Sequence, residues 1–142
     1  MHQIHVTRRY RFCAAHRLHT DHLTPKENQV IFGKCNNPNG HGHNYAVLVT
    51  VRHDGSDEAG SLAQLDHIVN ETVVSRFDHQ DLNGDKEFAD RTTTGENLVK
   101  LIWDLLESKL PSGQLEKVGV IETRDNYFEY AGPAQRIGRA RG

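Results

Sequence analysis

The chain has 142 residues and only two cysteines, Cys13 and Cys35. Two cysteines make no disulfide framework, so a reducing cytoplasm is the expected setting. Long apolar runs are also missing. No stretch approaches the roughly 20 residues that span a bilayer. The opening "MHQIHVTRRYRF" has no apolar core of the kind a signal peptide carries. Nor does one sign of charge prevail: 17 Lys+Arg against 19 Asp+Glu leave a net charge of −2. That balance argues against nucleic acid as a partner, because a nucleic-acid footprint needs a basic patch or stripe. No internal repeat or low-complexity segment is visible. What remains, 36% hydrophobic and 25% charged, fits one soluble domain of ordinary size with no membrane role.

Histidine, in contrast, is abundant: there are ten. At that density composition alone supplies roughly 0.7 His-x-His pairs by chance. The pair in "GKCNNPNGHGHNY" (33–45) therefore needs support from its surroundings.

Periodicity supplies some of it. From Ile4 to Leu18, the residues Ile4, Val6, Tyr10, Phe12, Ala14, His16 and Leu18 share one face, broken only by Arg8. That is the two-residue period of a half-buried strand, and it puts His16 on the apolar side. Residues 19–40 read as a long polar connection closed by the turn "NNPNG". From 41 to 53 alternation returns, with His41, His43, Tyr45, Val47, Val49 and Val51 pointing one way. Leu62, Leu65, Ile68, Val69, Val73 and Phe77 then recur at helical steps, and "DHQDLNGDKEFADRTT" reads as a polar loop. A second helix opens near Thr93, carries Leu98, Leu101, Ile102, Leu105 and Leu106, and ends before Pro111 and Gly113. Val118, Val120 and Glu122 share a face of a third strand, and Tyr127 to Tyr130 indicate a fourth. The order ββααββ predicts an α+β fold with antiparallel pairing. Four strands are too few to close a barrel, so the sheet edges stay open or pair with other subunits. Residues 1–132 form the domain, and 133–142, with three arginines among small residues, read as a flexible basic tail.

The chemistry-bearing residues follow from these faces. Catalytic zinc takes three protein ligands and keeps one position open. His41 and His43 supply two donors from one strand face, and His16 is the natural third. Any one of them alone is ordinarily a core or surface histidine. Three imidazoles converging on one metal satisfy their buried nitrogens together. Cys35 lies six residues before His41, across a turn rich in backbone donors. In isolation such a thiol is a small buried hydrophobe. Beside a metal or histidine its pKa falls and it becomes a base or nucleophile. Cys13, opposite His16, is read as inert. Asp78 and His79 adjoin in a loop, where a carboxylate can orient an imidazole for proton shuttling, although most such dipeptides are merely solvated. Thr93 and Glu96 form a T-x-x-E capping box. Glu122, on an apolar strand face, needs a set of donors, such as the adjacent N–H groups of a pterin or guanine edge.

Taken in order, "FCAAHRL", "FGKCNNPNGHGHNY", "FDHQDLN", "TTTGENL" and "VGVIET" resemble the 6-pyruvoyl tetrahydropterin synthases and the related 6-carboxytetrahydropterin synthases of the queuosine pathway. The resemblance spans residues 4 to 132 or so. It implies the tunnelling fold: a four-stranded antiparallel sheet with two helices on one face. Three such sheets join into a barrel, and two trimers stack as a homohexamer with sites between subunits. It further implies that His16, His41 and His43 hold Zn2+ and that Cys35 is the general base. Asp78 and His79 complete a relay, with a neighbouring subunit as one possible source. Glu122 anchors the pterin ring with help from Thr94 and Glu96, so that Glu96 both caps and binds. The substrate implied is 7,8-dihydroneopterin triphosphate.

Some positions depart from the family pattern: Cys13, Gln64, Phe77 and Gly95. None of them removes a proposed ligand or base. The five-residue gap between Cys35 and His41 favours the pyruvoyl branch over the carboxy branch, which would release acetaldehyde. A pterin-binding scaffold without turnover is the reading from another class, and retention of Cys35, Asp78 and His79 together speaks against it. An aldolase-like variant would carry glutamate in place of Cys35.

Overall fold

Alternation in the first strand becomes one wall of the core. The computed structural model describes residues 4–16, 24–32, 41–53, 55–86, 94–122 and 126–133, without the side chains at positions 16, 28, 31, 32, 41 and 42. Strand β1 (Ile4–His16) turns Tyr10, Phe12 and Ala14 inward. Strand β2 (His41–His53) does the same with Tyr45, Val47, Val49 and Val51. The two are antiparallel over all thirteen positions, from Ile4 opposite His53 to His16 opposite His41. Phe12 stacks on Tyr45 with ring centroids 5.1 Å apart, one row of this pairing made visible. Strand β4 (Leu115–Glu122) continues the sheet on the other side of β2, and β5 (Asn126–Tyr130) pairs with β4.

Helices cover the inward face. Helix α2 (Glu58–Val69) runs through a π turn (Asn70–Val74) into the short α3 (Ser75–Phe77). Its buried residues Leu65, Val69, Val73 and Phe77 stand four apart. Each step of four over-rotates a 3.6-residue helix by about 40°, and the wider π turn takes up part of that drift. Helix α4 (Gly95–Glu107) lays Leu98, Ile102 and Leu106, all fully buried, on the same core. The result is two layers, helices on one side of a sheet, as the α+β reading expects.

Four details differ from expectation. The sheet has five strands, not four: with β3 (Gln80–Asp81) the order is β3-β1-β2-β4-β5, and it is not wholly antiparallel. The added β3 pairs parallel with β1 at Ala14 and Ala15. Two residues are too few to show a period, so the segment reads as loop. Second, the polar connection contains helix α1 (Pro25–Phe32). Thr24 Oγ1 accepts from the Glu27 amide at 3.2 Å, and Glu27 Oε1 accepts from the Thr24 amide at 2.8 Å. "TPKE" is thus a capping box with proline at the first helical position, a signal present in the sequence. Third, the cap of α4 is Thr94 and not Thr93: Thr94 Oγ1 accepts from the Asn97 amide at 3.2 Å. Thr93 lies outside the described residues. Fourth, Glu96 occupies the second helical position, exposed, and is not the partner of the cap. The tail from residue 134 onward also lies outside the described residues. No described helix is long and apolar enough to cross a membrane.

Candidate active site

The β1–β2 register brings the histidine positions together at one end of the sheet. His16 is directly opposite His41, and Ala14 is opposite His43. Opposed residues of an antiparallel pair hold their Cβ atoms about 5 Å apart, with diagonal neighbours still within reach of long side chains. His16, His41 and His43 therefore occupy one corner of the inward face. The side chains of His16 and His41, and all of Cys35, lie outside the described residues. Among the described side chains no three His, Cys, Asp or Glu cluster as a metal centre. His43 is the described member of the corner. Its ring meets Tyr45 edge-on at 5.9 Å, and its Nε2 stands 3.3 Å from Glu122 Oε1. Both side chains are about 15% exposed or less. Glu122 arrives from β4, where it is opposite Tyr45 on the same face. A partly buried imidazole beside a partly buried carboxylate is a donor set that suits zinc or a ring bearing several N–H groups.

Asp78 and His79 arrive by another route. Phe77 is fully buried and ends the α2–α3 run, so the chain emerges at the edge of β1. The Cys13 amide donates to Asp78 Oδ1 at 2.9 Å, and the His79 amide donates to the Cys13 carbonyl at 2.6 Å. Cys13 thus clasps the pair through its backbone, while its exposed thiol meets Asn44 Oδ1 at 2.8 Å. The inert reading of Cys13 overlooked this backbone role. His79 has φ of 60°, left-handed for a non-glycine residue. Its imidazole is 82% exposed and lies 3.6 Å from Asp78 Oδ2. Both residues line a cavity of about 720 Å3 with Arg9, Arg11, Cys13 and Asn44, on the sheet face turned away from the helices. One chain therefore divides the candidates: His43 and Glu122 sit on the inward face, Asp78 and His79 at the β1 edge.

With both groups in place, the comparison with known proteins is direct. A family model described as 6-pyruvoyl tetrahydropterin synthase matches residues 5–133. The chain belongs to the 6-pyruvoyl tetrahydropterin synthase family. It is 46% identical over 134 residues to human 6-pyruvoyl tetrahydrobiopterin synthase, covering 92% of each chain. A 6-carboxy-5,6,7,8-tetrahydropterin synthase of Bacillus subtilis is 31% identical over 117 residues, covering 77% of this chain and 76% of the relative. The solved structure of the Caenorhabditis elegans 6-pyruvoyl tetrahydropterin synthase superposes with a TM-score of 0.86 at 36% identity, covering 94% of this chain and 98% of that one.

Within this synthase fold the start of α4 lies close to the Glu122 corner. Gly95 packs under the ring of Phe128, and Phe128 is opposite Val120, two residues before Glu122. Thr94 is engaged as the cap, and Glu96 projects to solvent one position beyond Gly95. The glycine that departs from the family pattern thus has a local reason: the aromatic ring occupies the space of a Cβ.

Proposed function

We propose that this chain is a zinc-dependent lyase that converts 7,8-dihydroneopterin triphosphate to 6-pyruvoyl tetrahydropterin with elimination of triphosphate. The observation that carries the reading is the approach of Glu122 to His43 beside the His16–His41 register pair. It sets a partly buried carboxylate beside one of the three proposed zinc ligands. His16, His41 and His43 would hold the zinc. When bound, the metal would supply a Lewis acid toward the hydroxyls of the substrate side chain and so acidify the neighbouring carbon. Cys35 would take the proton from that carbon, and the Asp78–His79 pair would pass it on. Glu122 would accept from the N–H groups of the pterin ring, with Thr94 and Glu96 assisting. A reducing cytoplasm suits the free thiol this chemistry needs.

Assembly belongs to the same proposal. Beyond the two positions paired with β3, the outer edge of β1 has no partner strand among the described residues, and β5 ends the sheet on the other side. Edges of this length favour pairing with further copies. The chain would trimerise into a barrel and stack as a homohexamer, and Asp78 and His79, set apart from their own His43, would serve a neighbouring copy's site.

The test is product analysis with the zinc-loaded protein and 7,8-dihydroneopterin triphosphate. Triphosphate release in step with pyruvoyl product, without acetaldehyde, is the expected result. Acetaldehyde in step with turnover would instead assign the chain to the carboxy branch. Zinc and pterin binding without turnover would leave a scaffold.

A further inference from the structure

The bow from Asp78 to Asp81 is held from several sides. Its two anchors, Phe77 before it and Leu82 after it, are fully buried. Cys13 grips its backbone and its first side chain, β3 pairs with Ala14 and Ala15, and Asp81 accepts from the Asn83 amide at 3.0 Å. Just outside the anchors, Arg76 donates through Nε and Nη2 to the two carboxylate oxygens of Asp85, each at 2.8 Å. The guanidinium also lies over the Phe77 ring, 5.5 Å from its centroid. The two side chains are 24% and 12% exposed, so water competes weakly for the pair.

A doubled Arg–carboxylate bond adds directional control as well as energy. Phe77 and Leu82 already fasten the segment to the core. What they leave free is the angle at which the chain leaves one anchor and returns to the other, and a bidentate link across the neck sets that angle. The backbone it encloses includes His79 in the left-handed region, a conformation that persists only where its surroundings over-determine it.

We propose that Arg76 and Asp85 are positioning residues for the Asp78–His79 pair: their doubled ion pair closes the neck of the bow and keeps His79 in the bend that turns its imidazole into the cavity. This rests on the reading of Asp78 and His79 as the proton-transfer pair.

Arg76→Gln and Asp85→Asn test it in the zinc-loaded enzyme. Each should lower kcat by about 10- to 100-fold, the scale of a misplaced proton-transfer group, with KM for the pterin triphosphate unchanged within about twofold. Because the two act as one unit, Arg76→Gln/Asp85→Asn should be no worse than either single change. Amide exchange at His79 should quicken in all three variants while that at Val120 stays at the wild-type rate. Arg76→Lys, which keeps the charge and loses the fork, should unfold within a few degrees of the wild type with intermediate kcat. Full kcat in either single variant, unaltered exchange at His79, or losses that multiply in the double variant would each overturn the proposal. His79→Ala with full turnover would overturn the underlying reading. An inactive His79→Ala beside a fully active Arg76→Gln would overturn the positioning role alone.

Discussion

Two glycines show how one missing Cβ is used in different ways. A Cβ on Gly95 would run into the Phe128 ring, which packs against the core. A Cβ on Gly119 would come within 2.5 Å of Tyr127 Oη, but Tyr127 is 48% exposed and can swing away. Gly95→Ala should therefore cost about 1–3 kcal/mol, and Gly119→Ala clearly less, as read by urea unfolding. The Arg8–Asp66–Tyr10 cluster sets a pH response at the same scale. Tyr10 Oη donates to Asp66 Oδ1 at 2.6 Å, and Arg8 Nη2 donates to Asp66 Oδ2 at 2.7 Å. The Tyr10 hydrogen bond, then Arg8, hold the Asp66 carboxyl below its usual range. Burial, then the bond to Asp66, push the Tyr10 phenol well above its own. A lowered carboxyl pKa contributes stability above the unfolded value, and this is lost as pH falls through the folded one. A raised phenol pKa contributes below the unfolded value, lost as pH rises through the folded one. Asp66→Asn should be less stable than wild type at neutral pH, with the gap closing below about pH 4. Unfolding curves taken across the acid range check this; a gap that stays constant would show that the cluster has no linkage to pH.

At the scale of elements, the start of α4 separates stability from chemistry. Thr92, Thr93 and Thr94 are equivalent cap candidates by chemistry. The seat of Gly95 under Phe128 selects Thr94. Thr94→Ala should cost about 1 kcal/mol. Glu96→Gln, on an exposed side chain, should stay within about 0.5 kcal/mol while weakening substrate binding if the proposed anchoring holds. Parallel measurements of unfolding and KM on the two variants decide it. Short elements were the hardest to read. Helix α1 has a legible cap but an exposed apolar side chain in Val30, 77% accessible, so it shows no apolar stripe to announce it. Strand β3 has no local signal at all, because parallel pairing of two residues depends on where α3 ends.

The whole molecule turns on its edges. The sheet runs from the short β3 beside a long β1 to β5, and the candidate site is split across that sheet in one chain. If copies complete each other's sites, the particle in solution should have six chain masses, by light scattering at micromolar concentration. A monomer with full lyase activity would refute that assembly. Zinc should be found at about one per chain, the single open-position site that three histidine ligands make. Chelation should then abolish turnover while the sheet persists by circular dichroism.

Local chemistry and period determined much of this protein from sequence alone. Alternation assigned Tyr10, Phe12 and Ala14, and Tyr45, Val47 and Val49, to one buried face, and the same rule expects His16, His41, His43 and Glu122 on it. Of these four, the side chains of His43 and Glu122 are described and partly buried. The family resemblance came separately, from motifs that are each contiguous in the chain. Tertiary structure alone decided which positions meet: His16 opposite His41, Glu122 at 3.3 Å from His43, and Asp78–His79 clasped by the backbone of Cys13. A two-residue period says which face a side chain takes, but the choice of neighbouring strand and register rests on hydrogen bonds between segments far apart in the chain. Those bonds join segments that only the tertiary fold brings side by side.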